Sequence, residues 1–453
     1  VQRKTPVAVS TVNAEEISYK LGGQEFPEIL KSTPGVYVTK DGGGFGDSKI
    51  NMRGFQAANV AVMVNGVPVN DMEWGGVYWS NWAGLSDVAR SIQTQRGLGA
   101  SKVSAPSVGG TINIVTRNLD AKKGGFLSYG MGNDGMNKIL FSVSSGITKN
   151  GWAFTLMGGK NWGNGYIQGT AFEGYNWFAS ISKRINEEHQ LTLTAFGAPQ
   201  WHDQRNSSYG GLTIADWKMV ETVYGVKDHK YNPTFGYRSN GESYNSYRNS
   251  YHKPLISLNH QWQINSKSSL STSLYVSLGR GSGFSGQGNT EFSPYSYTSW
   301  RGAYKGTLYD TFRRSDGTFD YAAIEEINRT SEYGSALIAA RSNNSHDWYG
   351  LLSTYTTKIG QYLDFYGGID YRFYKGVHRN EISDLFGGTY YLDSERGNVD
   401  VKNNIHAADP NWRYQKLGVG DVVFRDYDGF VMQEGGFFQL EYNKDRLAAF
   451  VAG

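Results

Sequence analysis

Ile256-Ser257-Leu258-Asn259-His260-Gln261-Trp262-Gln263-Ile264 carries an apolar or ring-bearing side chain at every even position and Ser, Asn or Gln at every odd one. Successive side chains of a β-strand point to opposite faces, so this stretch predicts a strand with one apolar face and one wet face. The next segment repeats the pattern, with Leu270, Thr272, Leu274, Val276 and Leu278 against Ser271, Ser273, Tyr275 and Ser277. A third sets Leu363, Phe365, Ile369, Tyr371 and Phe373 opposite Asp364, Asp370 and Arg372. Charges belong on the wet face, because Arg or Lys turned toward lipid at mid-depth costs about 2–4 kcal/mol.

From Gly124 onward we count about eleven such segments, each of roughly eight to thirteen residues. The connections between them sort by length. Tight ones are expected at Thr148–Gly151, Asn186–Glu188, Asn265–Lys267, Gly360-Gln361 and Asn443–Asp445, and long ones at about 199–250, 281–344 and 375–430. Short turns at one end and long loops at the other, without exception, are the asymmetry of an outer-membrane barrel, and a soluble sandwich has no reason to sort its loops this way.

Composition agrees. The 453 residues hold 58 Gly, 31 Tyr, 22 Phe and 12 Trp, with 10 Pro and no Cys. Mean hydropathy is −0.49 although aromatics reach 14%. No stretch approaches the roughly 18 consecutive apolar residues of a membrane helix, but barrel strands show lipid only every second residue and stay polar on average. The absence of Cys excludes a disulfide framework and a thiolate zinc site. A net charge of +3 does not suggest a nucleic-acid partner.

Residues 1–120 read as a separate α+β domain and 121–453 as barrel wall. Within the first, strands are expected at Val7–Val12, Val36–Val38, Lys49–Arg53, Val60–Val64, Ser91–Arg96 and Gly109–Thr116. Asn65-Gly66 is a hairpin turn signal, Phe26–Lys31 a helix closed by Pro34-Gly35, and Ser86 the expected cap of a short helix over Asp87–Arg90. The opening residues read as mid-protein, and the alternation is still running at Gly453. A longer protein is expected, whose remaining half would supply about eleven more strands to close the barrel.

Five stretches then carry a resemblance. Thr5–Val9, Ile29-Leu30 with Pro34-Gly35-Val36, Asn51-Met52-Arg53-Gly54-Phe55, Val62–Pro68, and Ser91–Gly97 with Gly109–Thr116 occur in the order found in the plug domain of TonB-dependent outer-membrane receptors. Residues 5–117 resemble that plug, and the chain beyond them resembles the start of the family's 22-stranded barrel. Asp71-Met72-Glu73-Trp74 and the Tyr-rich loops resemble receptors of the Bacteroides group. Val103–Pro106 departs from the family's usual Tyr-Gly, and no TonB box is visible.

The resemblance implies active import across the outer membrane of Gram-negative cells. The ligand binds above the plug, and TonB pulls from the periplasm. A scarce large nutrient is expected, a metal chelate such as a ferric siderophore ahead of glycans. The alternatives are a glycan or peptide importer working with a surface lipoprotein, and a passive plugged barrel or adhesin. The family's plug arginines, here Arg53 and Arg96, would lock against barrel glutamates. From the residues themselves, Phe45 in Gly42–Gly46 and the group Asp71, Trp74, Tyr78, Trp79 and Trp82 are expected to form an aromatic ligand platform, or else to pack against the wall and loops. Tyr209, Tyr231, Tyr237, Tyr244, Tyr247, Tyr251, Tyr295, Tyr297, Trp300 and Tyr304 suggest aromatic anchors in the long loops, and a short helix is expected over Asp216–Val223. Seven of the eight histidines, His202, His229, His252, His260, His346, His378 and His406, are scattered without ligand spacing, and His260 reads as an interfacial anchor. Gly42–Gly46 lacks the Lys-Ser/Thr of a phosphate loop. Neither a catalytic arrangement nor a metal or cofactor site is expected.

Overall fold

A computed structural model describes all residues except 1–7, 41–44, 47, 97–107, 118–120, 206–210 and 446. The expected features at Val7, Gly42–Gly44, Val103–Pro106 and Tyr209 lie outside the described residues.

The first domain folds around a mixed sheet of β1 (Val9–Asn13), β4 (Val60–Val64), β5 (Val67–Pro68), β6 (Ala89–Arg96) and β7 (Gly110–Thr116), in the order β1-β6-β7-β4-β5. A second ribbon pairs β2 (Val36–Thr39) with β3 (Lys49–Met52). β4 runs parallel to β7 and turns back into β5 through Asn65 and Gly66, both at positive φ, as the Asn-Gly pair requires. β4 is buried at every residue, which suits the middle of a covered sheet.

Three helices cover this sheet. α1 (Ala14–Leu21), absent from the sequence reading, is capped by Asn13, whose side chain accepts the Glu16 amide at 2.9 Å, and it buries Ile17 and Leu21. α2 (Phe26–Ile29) continues as a 3₁₀ turn over Leu30–Ser32. α3 (Leu85–Val88) corrects an expectation: it opens at Gly84, with φ of +83°, so Ser86 lies inside the helix rather than capping it.

The wall begins with β8 (Gly124–Met131), β9 (Asn137–Ser144), β10 (Trp152–Gly163) and β11 (Phe172–Arg184). Two staves are interrupted. One consists of β12 (His189–Gly197) and β13 (Gln200–Asp203), broken at Pro199; its neighbour consists of β14 (Arg248–His252) and β15 (Leu255–Gln263), broken at Pro254. Proline cannot donate to the ladder, so both breaks fall where it stands. β16 (Ser268–Gly288), β17 (Leu337–Ile359), β18 (Leu363–Asp384), β19 (Val422–Lys444) and β20 (Leu447–Ala452) complete one antiparallel sheet of 13 strands, which with the two breaks joined makes eleven staves.

The chain is mainly β, as expected, and its burial pattern is that of a protein in lipid. Ile256, Leu258, Leu274, Leu278 and Ile369 are exposed on the outer face, whereas Ser257, Ser273, Ser277, Asp370 and Arg372 are buried toward the plug. Among the described residues no helix is long and apolar enough to cross a membrane. His260 stacks on His189 at the end of the wall that carries the tight turns, with Trp262 beside them, as interfacial anchors do.

Two expectations need correction. The staves from β16 to β19 run 21–23 residues, not eight to thirteen. Crossing takes only about 9–11, so these strands rise well beyond the lipid and shorten the loops to 204–247, 289–336 and 385–421. The sorting of turns is also not absolute, because the β8–β9 and β10–β11 connections lie at the long-loop end and span only 132–136 and 164–171.

Candidate functional site

The domain sits against the inner face of the wall, and the loop joining β5 to α3 forms its apex. Asn70 ties this loop down: its amide nitrogen donates to the Val60 and Gly75 carbonyls at 2.9 and 2.8 Å, and its oxygen accepts the Val62 amide at 2.7 Å. Asp71 shapes the adjoining turn, accepting the Glu73 and Trp74 amides at 2.9 and 3.2 Å. Its second oxygen lies 3.5 Å from the Tyr374 hydroxyl on the wall.

The expected aromatic group separates into two. Trp74 and Tyr78 are 43% and 55% exposed, with ring centroids 4.7 Å apart, and they stand on the apex. Trp79 stacks on Phe26 at 4.8 Å, and Trp82 stacks on Phe196 of the wall at 5.9 Å; both are buried. Phe45 is buried too, stacked on Phe172 at 4.5 Å with His202 edge-on. The rings of Phe45, Trp79 and Trp82 are therefore occupied in packing, Phe45 and Trp82 directly against the wall. A Cβ in place of the Gly84 hydrogen would collide with the Asn176 side chain, which shows how closely the domain approaches it.

Above the apex, the upper staves enclose a cavity of about 410 Å³ bordered by Arg248, Asn249, Tyr251, Tyr297, Arg301 and Asn344. Arg248 is clamped in a fork by Asp203 at 2.6 and 2.8 Å and lies over Trp201. Arg425, in the adjoining wall, donates to Asn380, Ser342 and Asn344, all neutral oxygens. A larger cavity of about 830 Å³ opens between the domain's turn at Gly23–Glu25, Phe45 and the loop carrying Arg205 and Trp217. The smaller space combines cationic, aromatic and amide groups, which suits a large polar ligand bearing anionic or carbonyl oxygens, whereas the larger also carries the Glu25 and Asp134 carboxylates.

The arginines expected to lock against barrel glutamates and the contacts that join the domain to the described wall are separate sets. Arg53 is exposed at a φ of +53°, and Arg96 donates to the Pro34 carbonyl at 3.0 Å. Among the described residues no barrel carboxylate pairs with either. Instead Asp87 of α3 receives Lys138 of β9 at 2.9 Å on both oxygens, and Glu73 of the apex meets His378 of β18 at 2.9–3.0 Å. The domain supplies the carboxylates, and the wall supplies an ammonium and an imidazole. Nothing in the spacing of these residues announces either pair.

The long loops also differ. Tyr231, Tyr247 and Trp300 are buried and build the loops, and Tyr247 and Trp300 also line the smaller cavity. Trp300, Phe312, Phe319, Tyr321, Ile324 and Phe386 form a hydrophobic core of the loop body. Burial pushes the Tyr231 phenol up to about 12, and its hydroxyl donates to the Gly317 carbonyl at 2.7 Å. Arg238 clasps three segments, bonded to Glu325 on α5 (Tyr321–Thr330) and to Asp384, with its guanidinium 4.5 Å over Phe386. The expected short helix forms as α4 (Ile214–Tyr224), capped by Thr213. Tyr297 remains 49% exposed at the cavity rim. Among the described residues no group of three or more His, Cys, Asp or Glu is placed to hold a metal ion.

Residues 1–111 match the family model of the TonB-dependent receptor plug domain. Vitamin B12 transporter BtuB of Vibrio vulnificus (strain CMCP6) is 24% identical over 204 residues, covering 44% of this chain and 32% of that protein. The ferric enterobactin receptor of Pseudomonas aeruginosa is 30% identical over 139 residues, 28% of this chain and 18% of the receptor. Among solved structures, unliganded ferric citrate transporter FecA superposes with a TM-score of 0.62 at 16% identity, covering 96% of this chain and 54% of FecA. The ferripyoverdine receptor of Pseudomonas aeruginosa superposes at 0.64 with 13% identity, covering all of this chain and 52% of the receptor. The chain thus spans about a third or less of these two curated relatives and about half of these two solved structures. At these identities the structural likeness establishes the fold. The matched relatives are transporters and receptors, not enzymes.

Proposed function

We propose that this chain, a TonB-dependent outer-membrane receptor in its plug and in the barrel wall it carries, takes up a scarce large nutrient from outside the cell, and that the nutrient is a metal chelate. The observation that carries this reading is the vestibule. Two exposed rings, Trp74 and Tyr78, stand on the plug apex beneath a wall that offers Arg248, Arg425 and Tyr251 and a loop that adds Arg301. Guanidinium and amide donors around aromatic surface suit the anionic and carbonyl oxygens of a chelate. The relatives are named for vitamin B12, ferric enterobactin, ferric citrate and ferripyoverdine, which favours the same class.

Energy is taken to come from TonB. The outer membrane holds no nucleotide and no sustained potential, whereas each charge crossing the inner membrane is worth about 2.3 kcal/mol per 100 mV. The plug packs its sheet and Trp82 against the wall, so opening a path requires work on those contacts. The test is uptake of radiolabelled ferric chelates and cobalamin by cells expressing the full-length protein, with and without TonB. Uptake of one of them should vanish without TonB and fall with Arg425→Gln. Accumulation unchanged by TonB deletion would refute the coupling.

A further inference from the structure

One contact at the plug apex goes beyond ligand capture. The two carboxylate oxygens of Glu73 lie 3.0 and 2.9 Å from Nε2 of His378. Beneath that carboxylate are Gly376 and Gly429, register partners on β18 and β19. A Cβ on Gly376 would come within 2.7 Å of the Glu73 Oε1, and one on Gly429 would collide with the same oxygen. Neither glycine has a positive φ, and a Cβ at either would meet only the movable end of Glu73, so it would push the carboxylate off its seat.

The opposite ring nitrogen, Nδ1, lies 2.9 Å from the Asn344 amide oxygen. That amide's orientation is fixed from both ends: its oxygen accepts from Arg425 at 3.3 Å, and its nitrogen donates to the Ser342 carbonyl at 3.0 Å. His378 therefore faces an acceptor on each side. A neutral imidazole donates from one nitrogen only, and the imidazolium donates from both.

We propose that Glu73 and His378 form a proton-operated latch that seats the plug's apical turn on the barrel wall, tight while the ring carries two protons and loosened when it loses one, because the neutral ring brings no charge to the carboxylate and cannot donate to Glu73 and Asn344 together. Other groups surround the ring and the carboxylate. Tyr427 of β19 lies 4.9 Å away ring to ring, the Tyr374 hydroxyl reaches both Asp71 and Glu73, and Lys253 lies within electrostatic reach of the same two carboxylates. Arg425 acts through Asn344, while Lys375 is offset by Asp428 and Arg379 by Asp426. Trp74 directly follows Glu73, so release mobilises the exposed Trp74–Tyr78 pair and couples external pH to the surface presented in the vestibule.

The latch depends on the seating of the plug, not on the identity of the nutrient, and its readout needs no uptake. These 453 residues contain no cysteine, so Trp74→Cys adds a single thiol among them for a nitroxide label in the full-length protein in vesicles. Between about pH 5.5 and about pH 8.5 the mobile fraction of the label should rise about tenfold. His378→Gln and Glu73→Gln should leave it mobile at every pH. Gly376→Ala, which keeps both partners but fills the carboxylate's seat, should do the same and serves where the other variants fail to fold. An unchanged spectrum across that range in the parent, or a surviving transition in His378→Gln, overturns the proposal.

Discussion

Removing one partner of the Asp87–Lys138 pair should loosen the plug measurably. The side chains are 8% and 18% exposed, and both carboxylate oxygens lie 2.9 Å from the ammonium. Breaking a fully buried pair costs about 3–5 kcal/mol, and breaking an exposed one about 0–1. This pair lies nearer the first limit, with some relief from the solvent that reaches Lys138. We expect about 2–3 kcal/mol for Asp87→Ala, which leaves a cation facing the plug without its counter-charge, equivalent to an opening equilibrium about 30- to 150-fold larger. The assay is hydrogen exchange of the β6 and β7 amides in the purified full-length protein at increasing urea. Lys138→Met should cost a similar amount. The double variant Asp87→Ala, Lys138→Met should recover most of the loss, because no charge is then left unpaired. Simple additivity, with a coupling below about 0.5 kcal/mol, would show that the pair is ornamental and that burying the aromatic rings alone seats the plug.

Three further outcomes rest on the same geometry. Trp82→Ala should lower plug stability by about 3–5 kcal/mol in the same exchange assay, because a buried ring stacked on Phe196 leaves a cavity, whereas Trp74→Ala should stay within about 0.5 kcal/mol. Ile369→Arg, on the lipid face at 58% exposure, should destabilise the barrel by about 2–4 kcal/mol, read as a lower urea midpoint for folding into vesicles. In the loops, burial raises the Glu325 carboxyl, but the Ser239 and Arg238 hydrogen bonds outweigh it and hold it below the usual carboxylate range. A depressed folded value gives stability that is present above the unfolded value of about 4.3 and lost as pH falls through the folded one. Limited proteolysis near α5 should therefore quicken between about pH 5 and about pH 3, and Glu325→Gln should flatten that dependence.

The barrel was legible because lipid on one side and a wet interior on the other impose a period of two on every stave, and that constraint is local. Ile256 to Ile264 and Leu270 to Leu278 state it residue by residue. Asn65-Gly66 was equally legible, since a two-residue turn must place both φ angles in the positive range. α1 was missed although Asn13-Ala14-Glu15-Glu16 is a plain capping sequence, because only eight residues follow the cap and two of them are buried. The two proline breaks at Pro199 and Pro254 stood in the sequence as well, but only strand pairing shows that they lie side by side.

What the sequence determined by itself was which faces are apolar, where the chain turns and which domain family leads. The tertiary structure alone decided which rings are free. Trp74 and Trp82 are the same residue type eight positions apart, yet one stands on the apex and the other lies against Phe196. The same holds for the charges: Glu73 meets His378 and Asp87 meets Lys138 across 305 and 51 positions of chain. Periodicity is enforced by the nearest neighbours in the chain and survives in the sequence. A plug-to-wall contact depends on how two domains fit together, and no short-range pattern encodes that fit.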